Sequence, residues 1–107
     1  MRHEIVLAPA TTQAFRQLPA RLRSEVRDAL EVHLRFEPTK VSRSRIRRLR
    51  GISRPQYRLR VGDIRVFYDV TETTVEILAI VTRAEAQAWL ETEGTSETGG
   101  GTRGGQG

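Results

Sequence analysis

Arginine is the residue on which any chemistry of this chain must rest. The sequence has 107 residues, with eighteen Lys and Arg, thirteen Asp and Glu, and a formal net charge of +5. The excess is concentrated. Residues 40–65 hold Lys40 and nine arginines (among them Arg45, Arg47, Arg48, Arg50, Arg58, Arg60 and Arg65) against one acid, Asp63. The flanking segments are near neutral or acidic. A guanidinium is a planar, permanently charged fork that matches phosphate oxygens two at a time. It keeps its proton at any accessible pH, so it holds or stabilises an anion and is no ready general base. The chemistry implied is the binding of a polyanion, or charge stabilisation at a phosphorus centre. The plainer alternative is a solvated basic surface.

Other chemistries find little support. With no cysteine there is no disulfide framework, thiol nucleophile or thiolate metal site. His3 and His33 are far apart and do not have metal-ligand spacing, so neither a metal nor a cofactor is expected. No apolar run nears the ~20 residues that span a bilayer. Residues 1–4 lead into a short apolar stretch without the layout of a secretory signal. The expectation is a protein without membrane association, in the cytoplasm. Hydrophobic residues at 37% and charged residues at 29% fit one globular domain with a lean core.

The elements that must position the arginines can be read in order. His3 to Leu7 predicts a short strand. Pro9 suits a first helical turn, and Phe15 and Leu18 lie three apart, closed by Leu18-Pro19. Pro19 opens a second helix, in which Leu22, Val26, Ala29, Leu30 and Leu34 form one apolar stripe. Glu37-Pro38 ends it. Ile46 to Arg50 predicts an edge strand, and Gly51 to Pro55 a turn. Tyr57, Leu59 and Val61 alternate with Arg58 and Arg60. After Gly62-Asp63, Ile64, Val66, Tyr68 and Val70 alternate with Arg65, Phe67 and Asp69. Two alternating runs split by a Gly-X pair predict a β-hairpin with a two-residue turn of type II′ character. Val75 to Thr82 predicts another strand, and Arg83 to Glu93 a helix with Ala86, Trp89 and Leu90 as its inner side. From Gly94 onward the Gly/Ser/Thr-rich tail predicts disorder. One domain over residues 1–93 is followed by a tail over 94–107. Segregated helices and strands predict an α+β class: a mainly antiparallel sheet of four to five strands, a helical hairpin on one face and a short C-terminal helix.

The two-residue turn has a consequence. It pairs Val61 with Ile64, Arg60 with Arg65 and Arg58 with Phe67. Arg58, Arg60 and Arg65 then share one face, and Tyr57, Leu59, Val61, Ile64, Val66 and Tyr68 share the other. The second face seats the helical hairpin. Two arginines directly opposed cost about 0.2–1 kcal/mol. An external anion completing the site is the simplest reason to keep them; three solvated arginines splayed apart is the alternative. Arg83, at the junction of the last strand and helix, is a further candidate, or else an exposed first-turn residue.

The segments LRG and YRLRVGDIRVFYDV, with a later strand ending in Thr82-Arg83 and a short helix, resemble the RelE/ParE toxin superfamily of bacterial type II toxin–antitoxin systems. The segment APATTQAFRQLPARLRSEVRDAL is similar to that family's helical hairpin. The resemblance covers about residues 3–90 and is nearer the RelE branch. It implies a RelE-like fold, a cognate antitoxin, oligomerisation through that antitoxin, and cleavage of mRNA in the ribosomal A site. There a 2′-hydroxyl attacks the scissile phosphate and leaves a 2′,3′-cyclic phosphate. By motif, Arg58, Arg60, Arg65 and Arg83 take the family's catalytic basic positions, and Arg45, Arg47, Arg48 and Arg50 are the expected further RNA contacts. Two departures stand out. Many members have His-Arg where this chain has Thr82-Arg83, and the C-terminal Tyr of RNA-cleaving relatives has no counterpart, the nearest aromatic being Trp89. A ParE-like toxin that poisons DNA gyrase without catalysis, and a catalytically degenerate member that only binds its antitoxin, are therefore the competing expectations.

Overall fold

The structure, a computed structural model, describes residues 2–96. Strand β1 (Glu4–Leu7) leads into helices α1 (Pro9–Arg16) and α2 (Ala20–Leu34). Then come β2 (Ile46–Arg48), β3 (Ile52–Arg54), β4 (Tyr57–Val61), β5 (Ile64–Val70) and β6 (Thr74–Thr82). Helix α3 (Arg83–Glu93) and a two-residue strand β7 (Thr95–Ser96) follow. The helices form where the sequence places them: Pro9 occupies the first turn of α1, and Pro19 is the N-cap of α2. The tight break between them is tied by Arg23, whose guanidinium donates to the carbonyls of Arg16 (3.1 Å) and Leu18 (2.9 Å).

Five strands form one sheet in the order β1-β6-β5-β4-β2. It is antiparallel except at one edge, where β1 runs parallel to β6, with Ile5 opposite Val75 and Leu7 opposite Ile77. No tight turn joins these two strands, so nothing forces them antiparallel. The β4–β5 hairpin has the register that a two-residue turn dictates: Val61 faces Ile64, Arg60 faces Arg65, Leu59 faces Val66 and Arg58 faces Phe67. Gly62 adopts φ +58° and, among the described residues, no non-glycine residue has positive φ, the pattern of a type II′ turn with Gly first.

That register sends Leu59, Ile64, Val66 and Tyr68 to one face, where they form a single buried cluster with Val26, Ala29, Leu30 and Leu34 of α2. Tyr68 is fully buried; its hydroxyl donates to the Pro38 carbonyl at 2.6 Å, and its ring stacks on Tyr57. Burial pushes this hydroxyl's pKa above its ordinary value, so it stays protonated.

Two expectations need correction. The segment expected as a turn over Gly51 to Pro55 contains β3, which pairs with β7 in a separate two-stranded sheet. Strands of three and two residues are too short to show periodicity, and Gly51 and Pro55 disguise the first as a turn. For the same reason the disorder expected from Gly94 onward does not hold for its first residues: Thr95 and Ser96 extend against Arg54 and Ile52. The rest of the expected tail, residues 97–107, lies outside the described residues. Among the described residues, no helix is long and apolar enough to cross a membrane, and no cluster of His, Cys, Asp or Glu could hold a metal ion.

If the α2 face of the hairpin is the core, Leu59→Ala should destabilise the domain by about 2–5 kcal/mol. Val32→Ala, on an exposed α2 position, should stay within about 0.5 kcal/mol. Urea denaturation of both variants measures the difference.

Candidate functional site

The face of the sheet turned away from α2 carries the arginines. Three neighbouring strands contribute to two cross-strand rows. In one, Arg47 of β2 faces Arg58 of β4, which faces Phe67 of β5. In the other, Arg60 of β4 faces Arg65 of β5, and the Arg60 N–H donates to the Arg45 carbonyl at 2.9 Å. Four guanidinium groups thus emerge side by side near the β4–β5 turn: Arg47, Arg58, Arg60 and Arg65.

Their environments differ. Arg65 is buried, at 7% exposure, and is clamped by its own hairpin: Nη1 donates to the carbonyls of Gly62 (2.8 Å) and Ile64 (3.1 Å). Burial lowers its pKa, the charges of Arg60 and Arg83 lower it further, and Asp63 opposes them. Arg58 is half-buried, with no carboxylate beside it. Burial lowers its pKa first, then repulsion from Arg47, Arg65 and Arg60. Its Nε is buried and has no hydrogen-bond partner. An unsatisfied buried donor costs about 1–3 kcal/mol, more when the group is charged. The protein therefore keeps a cation desolvated, repelled and incompletely bonded on an open face.

Arg83, the first residue of α3, stands at the same end. Its backbone N–H donates to the Asp63 carbonyl (2.7 Å), and its Nε lies 3.8 Å from the Asp63 carboxylate, both side chains being largely exposed. Asp63 and Arg83 form a loose outer rim to the cluster. Arg45 lies at its margin, reaching the Arg60 carbonyl at 3.5 Å. Two of the expected RNA contacts stand apart. Arg48 lies over the Tyr57 ring and donates to the Gln56 carbonyl, and Arg50 is exposed beside Gly51.

The other end of this face is treated differently. Arg54, not singled out from the sequence, is paired with Asp69 (3.0 Å) and Glu76 (3.5 Å). Asp69 also accepts the Gln56 N–H at 2.7 Å. Between the two ends, fully buried Phe67 stacks on Trp89 of α3, with ring centroids 5.1 Å apart and planes within 4°. Trp89 is thus the packing anchor expected of it, and it brings α3 down onto Phe67 of β5. The start of α3 is fixed by a capping box in which Thr82 and Glu85 satisfy each other's backbone N–H groups. These bonds hold the Glu85 carboxyl below its ordinary pKa of 4.5.

No side chain suited to proton transfer enters the cluster from the sheet: Tyr57 and Tyr68 belong to the opposite face, and Glu85 is engaged in the cap. The arrangement can bind and stabilise an anion of phosphate size, with Asp63 as the nearby carboxylate.

Comparison with known proteins gives a consistent picture. Residues 5–87 match the sequence profile of the ParE toxin of the type II toxin–antitoxin system parDE. Among solved structures, the chain is similar to the archaeal RelE–RelB complex of Pyrococcus horikoshii OT3, with 28% identity, 78% of this chain and 97% of that chain covered, and a TM-score of 0.58. The toxin–antitoxin complex RelBE2 of Mycobacterium tuberculosis shares the fold at 24% identity, covering 78% of this chain and 100% of that one, with a TM-score of 0.58. The RelB–RelE complex of Methanococcus jannaschii does so at 18% identity, covering 78% and 96%, with a TM-score of 0.59. No curated protein sequence matches the chain significantly.

Two measurements check this description. Arg58→Met keeps a long apolar stem and removes the strained charge, so it should raise folding stability by about 1 kcal/mol in urea denaturation; a loss would mean that Arg58 is satisfied. Glu85, with its folded pKa depressed, stabilises the start of α3 above pH 4.5, and that contribution fades as pH falls through the lower folded pKa. Trp89 fluorescence should report the loosening in acid, and Glu85→Gln, which keeps a hydrogen-bonding side chain but does not titrate, should abolish that transition.

Proposed function

This chain belongs to the ParE toxin family within the RelE/ParE superfamily and is a toxin of a type II toxin–antitoxin system; on that premise we propose that its arginine face grips the phosphate backbone of mRNA in the ribosomal A site and promotes its cleavage. The observation that carries this reading is Arg58, whose Nε is buried without a partner among like charges. A phosphodiester supplies what the fold withholds: two acceptor oxygens and a negative charge. Arg65, held by two carbonyls of its own hairpin, is pre-positioned to share it.

In the proposed reaction the RNA 2′-oxygen forms a bond to phosphorus while the P–O5′ bond breaks. The 2′ proton passes to water and the departing 5′-oxygen takes one from water, leaving a 2′,3′-cyclic phosphate and a 5′-hydroxyl. The arginines neutralise the charge that grows on the pentacoordinate phosphorus and hold the strand in line. Arg58, Arg60 and Arg65 are the catalytic group in this reading, Arg83 completes the rim, and Arg47 contacts the neighbouring backbone. A cognate antitoxin, as in the RelE–RelB complex, would neutralise the toxin by covering this face with an acidic segment, and assembly into larger complexes would run through it.

A second reading, a non-catalytic poison of DNA gyrase, is favoured by the ParE profile match and by the absence of a tyrosine on the arginine face. The two readings separate cleanly. On induction in translating cells, new mRNA 5′ ends should appear within coding regions, and Arg65→Ala or Arg58→Met should reduce them about 100-fold. Intact transcripts together with inhibited gyrase supercoiling would overturn the nuclease in favour of the gyrase poison.

A further inference from the structure

A second concave surface lies between the last turn of α2 and the loop that enters β2. It is a cleft of about 390 Å³ whose polar lining includes His33, Lys40, Ser42, Ser44 and Arg45, with Ile46 among its apolar residues. The loop is shaped by Ser42. Its Oγ accepts the N–H groups of Arg45 (3.0 Å) and Ile46 (3.1 Å), and its own N–H donates to the Ile46 carbonyl (2.9 Å). A hydroxyl has two acceptor positions and one proton. Both acceptor positions are taken here, so the hydroxyl's remaining capacity is to donate, from a residue that lines the cleft.

The other polar groups also offer donors or positive charge. Glu37 is the exception, and Lys40 pairs with it at 3.6 Å on a largely exposed surface. Among the described residues, Arg45 has one side-chain bond, the long one to the Arg60 carbonyl. The His33 imidazole is half-buried and, among the described residues, makes no hydrogen bond or ion pair. The cleft is therefore donor-rich, and its one lining carboxylate among the described residues, Glu37, engages Lys40 and leaves Arg45 and the Ser42 hydroxyl without an anion.

It is also connected to the arginine rows. Arg45 lines the cleft, while its carbonyl accepts the Arg60 N–H and its guanidinium reaches the Arg60 carbonyl. A chain of phosphates leaving Arg60 and crossing the β2 edge meets Arg45 next. We propose that this cleft is a second phosphate subsite, which takes a neighbouring phosphodiester of the same RNA strand that the arginine rows hold. The inference rests on the RNA-binding reading above and extends its footprint around the edge of the sheet. Burial and the adjacent Arg45 charge hold His33 below its ordinary pKa of 6.5. Glu37, Lys40 and Arg45 are the charges around it. An arriving phosphate favours the imidazolium, so His33 is a built-in reporter of occupancy.

The test uses an uncleavable probe, an all-2′-O-methyl RNA hexanucleotide, with the full chain. The His33 ring resonances should shift on its addition, and inorganic phosphate at the same concentration should leave them nearly unmoved. Losing one neutralised phosphate lowers the salt slope of single-strand binding by about 0.7. The double variant Lys40→Ala/Arg45→Ala should show that decrease and weaker binding; both residues are exposed, so folding is not at stake. An unmoved His33, an unchanged slope, or an equal response to free phosphate would overturn the subsite. Failure of the arginine-row reading is a separate result: undiminished hexanucleotide binding by Arg58→Met.

Discussion

Like charges facing each other across two backbone hydrogen-bonded strands are the constraint around which this molecule is arranged. The turn at Gly62-Asp63 fixes the register, and the register leaves Arg60 opposite Arg65 and Arg58 opposite Phe67. Moving the register by one residue would relieve the repulsion, but it would also turn Leu59 and Val66 out of the core. The apolar contacts of α2 on the other face therefore hold the arginines together. Packing on one side of the sheet supplies the force that maintains electrostatic strain on the other.

The same face shows what the fold does when it does not need an open charge. Arg54 has two carboxylates within ion-pair distance and Asp69 is further tied to the backbone. Arg58 has none, and one of its nitrogens is buried and idle. Neutralisation was available to this architecture: Arg54 is paired at one end, while at the other, among the described residues, only the outer-rim Arg83 meets a carboxylate, Asp63, at 3.8 Å. Trp89 and Phe67 divide the two ends, so the unpaired cluster sits beside an aromatic wall in a partly desolvated setting, where a charge-assisted hydrogen bond to an incoming anion is stronger than in water. A half-buried cation without a counter-charge weakens a fold, and Arg58 is one at the centre of the face proposed above to hold RNA.

Much of this was legible in the sequence, and the reason is local. Alternation between Tyr57 and Val70, broken by Gly-Asp, encodes a hairpin and its register without any distant partner. The α2 stripe from Leu22 to Leu34 likewise names its own buried side. What could not be read depends on contacts between remote positions. Arg54 meets Asp69 fifteen residues away, and β3 finds β7 across more than forty. The sequence treats Arg58 and Arg60 alike. Their difference in burial arises because Arg58 faces Phe67, under Trp89, while Arg60 faces another arginine at the turn. Arg48 and Arg50 are indistinguishable from Arg47 by composition, yet only Arg47 is opposite Arg58 on the arginine face.

The most direct measurement is a structure of this toxin on a translating ribosome whose A-site codon carries a 2′-O-methyl block, so that the strand is held uncleaved. The account predicts a backbone phosphate within hydrogen-bond distance, about 2.7–2.9 Å, of the Arg58 guanidinium, with Arg65 on the same phosphate. A strand that passes elsewhere, leaving the Arg58 Nε without a partner in the complex, would contradict it.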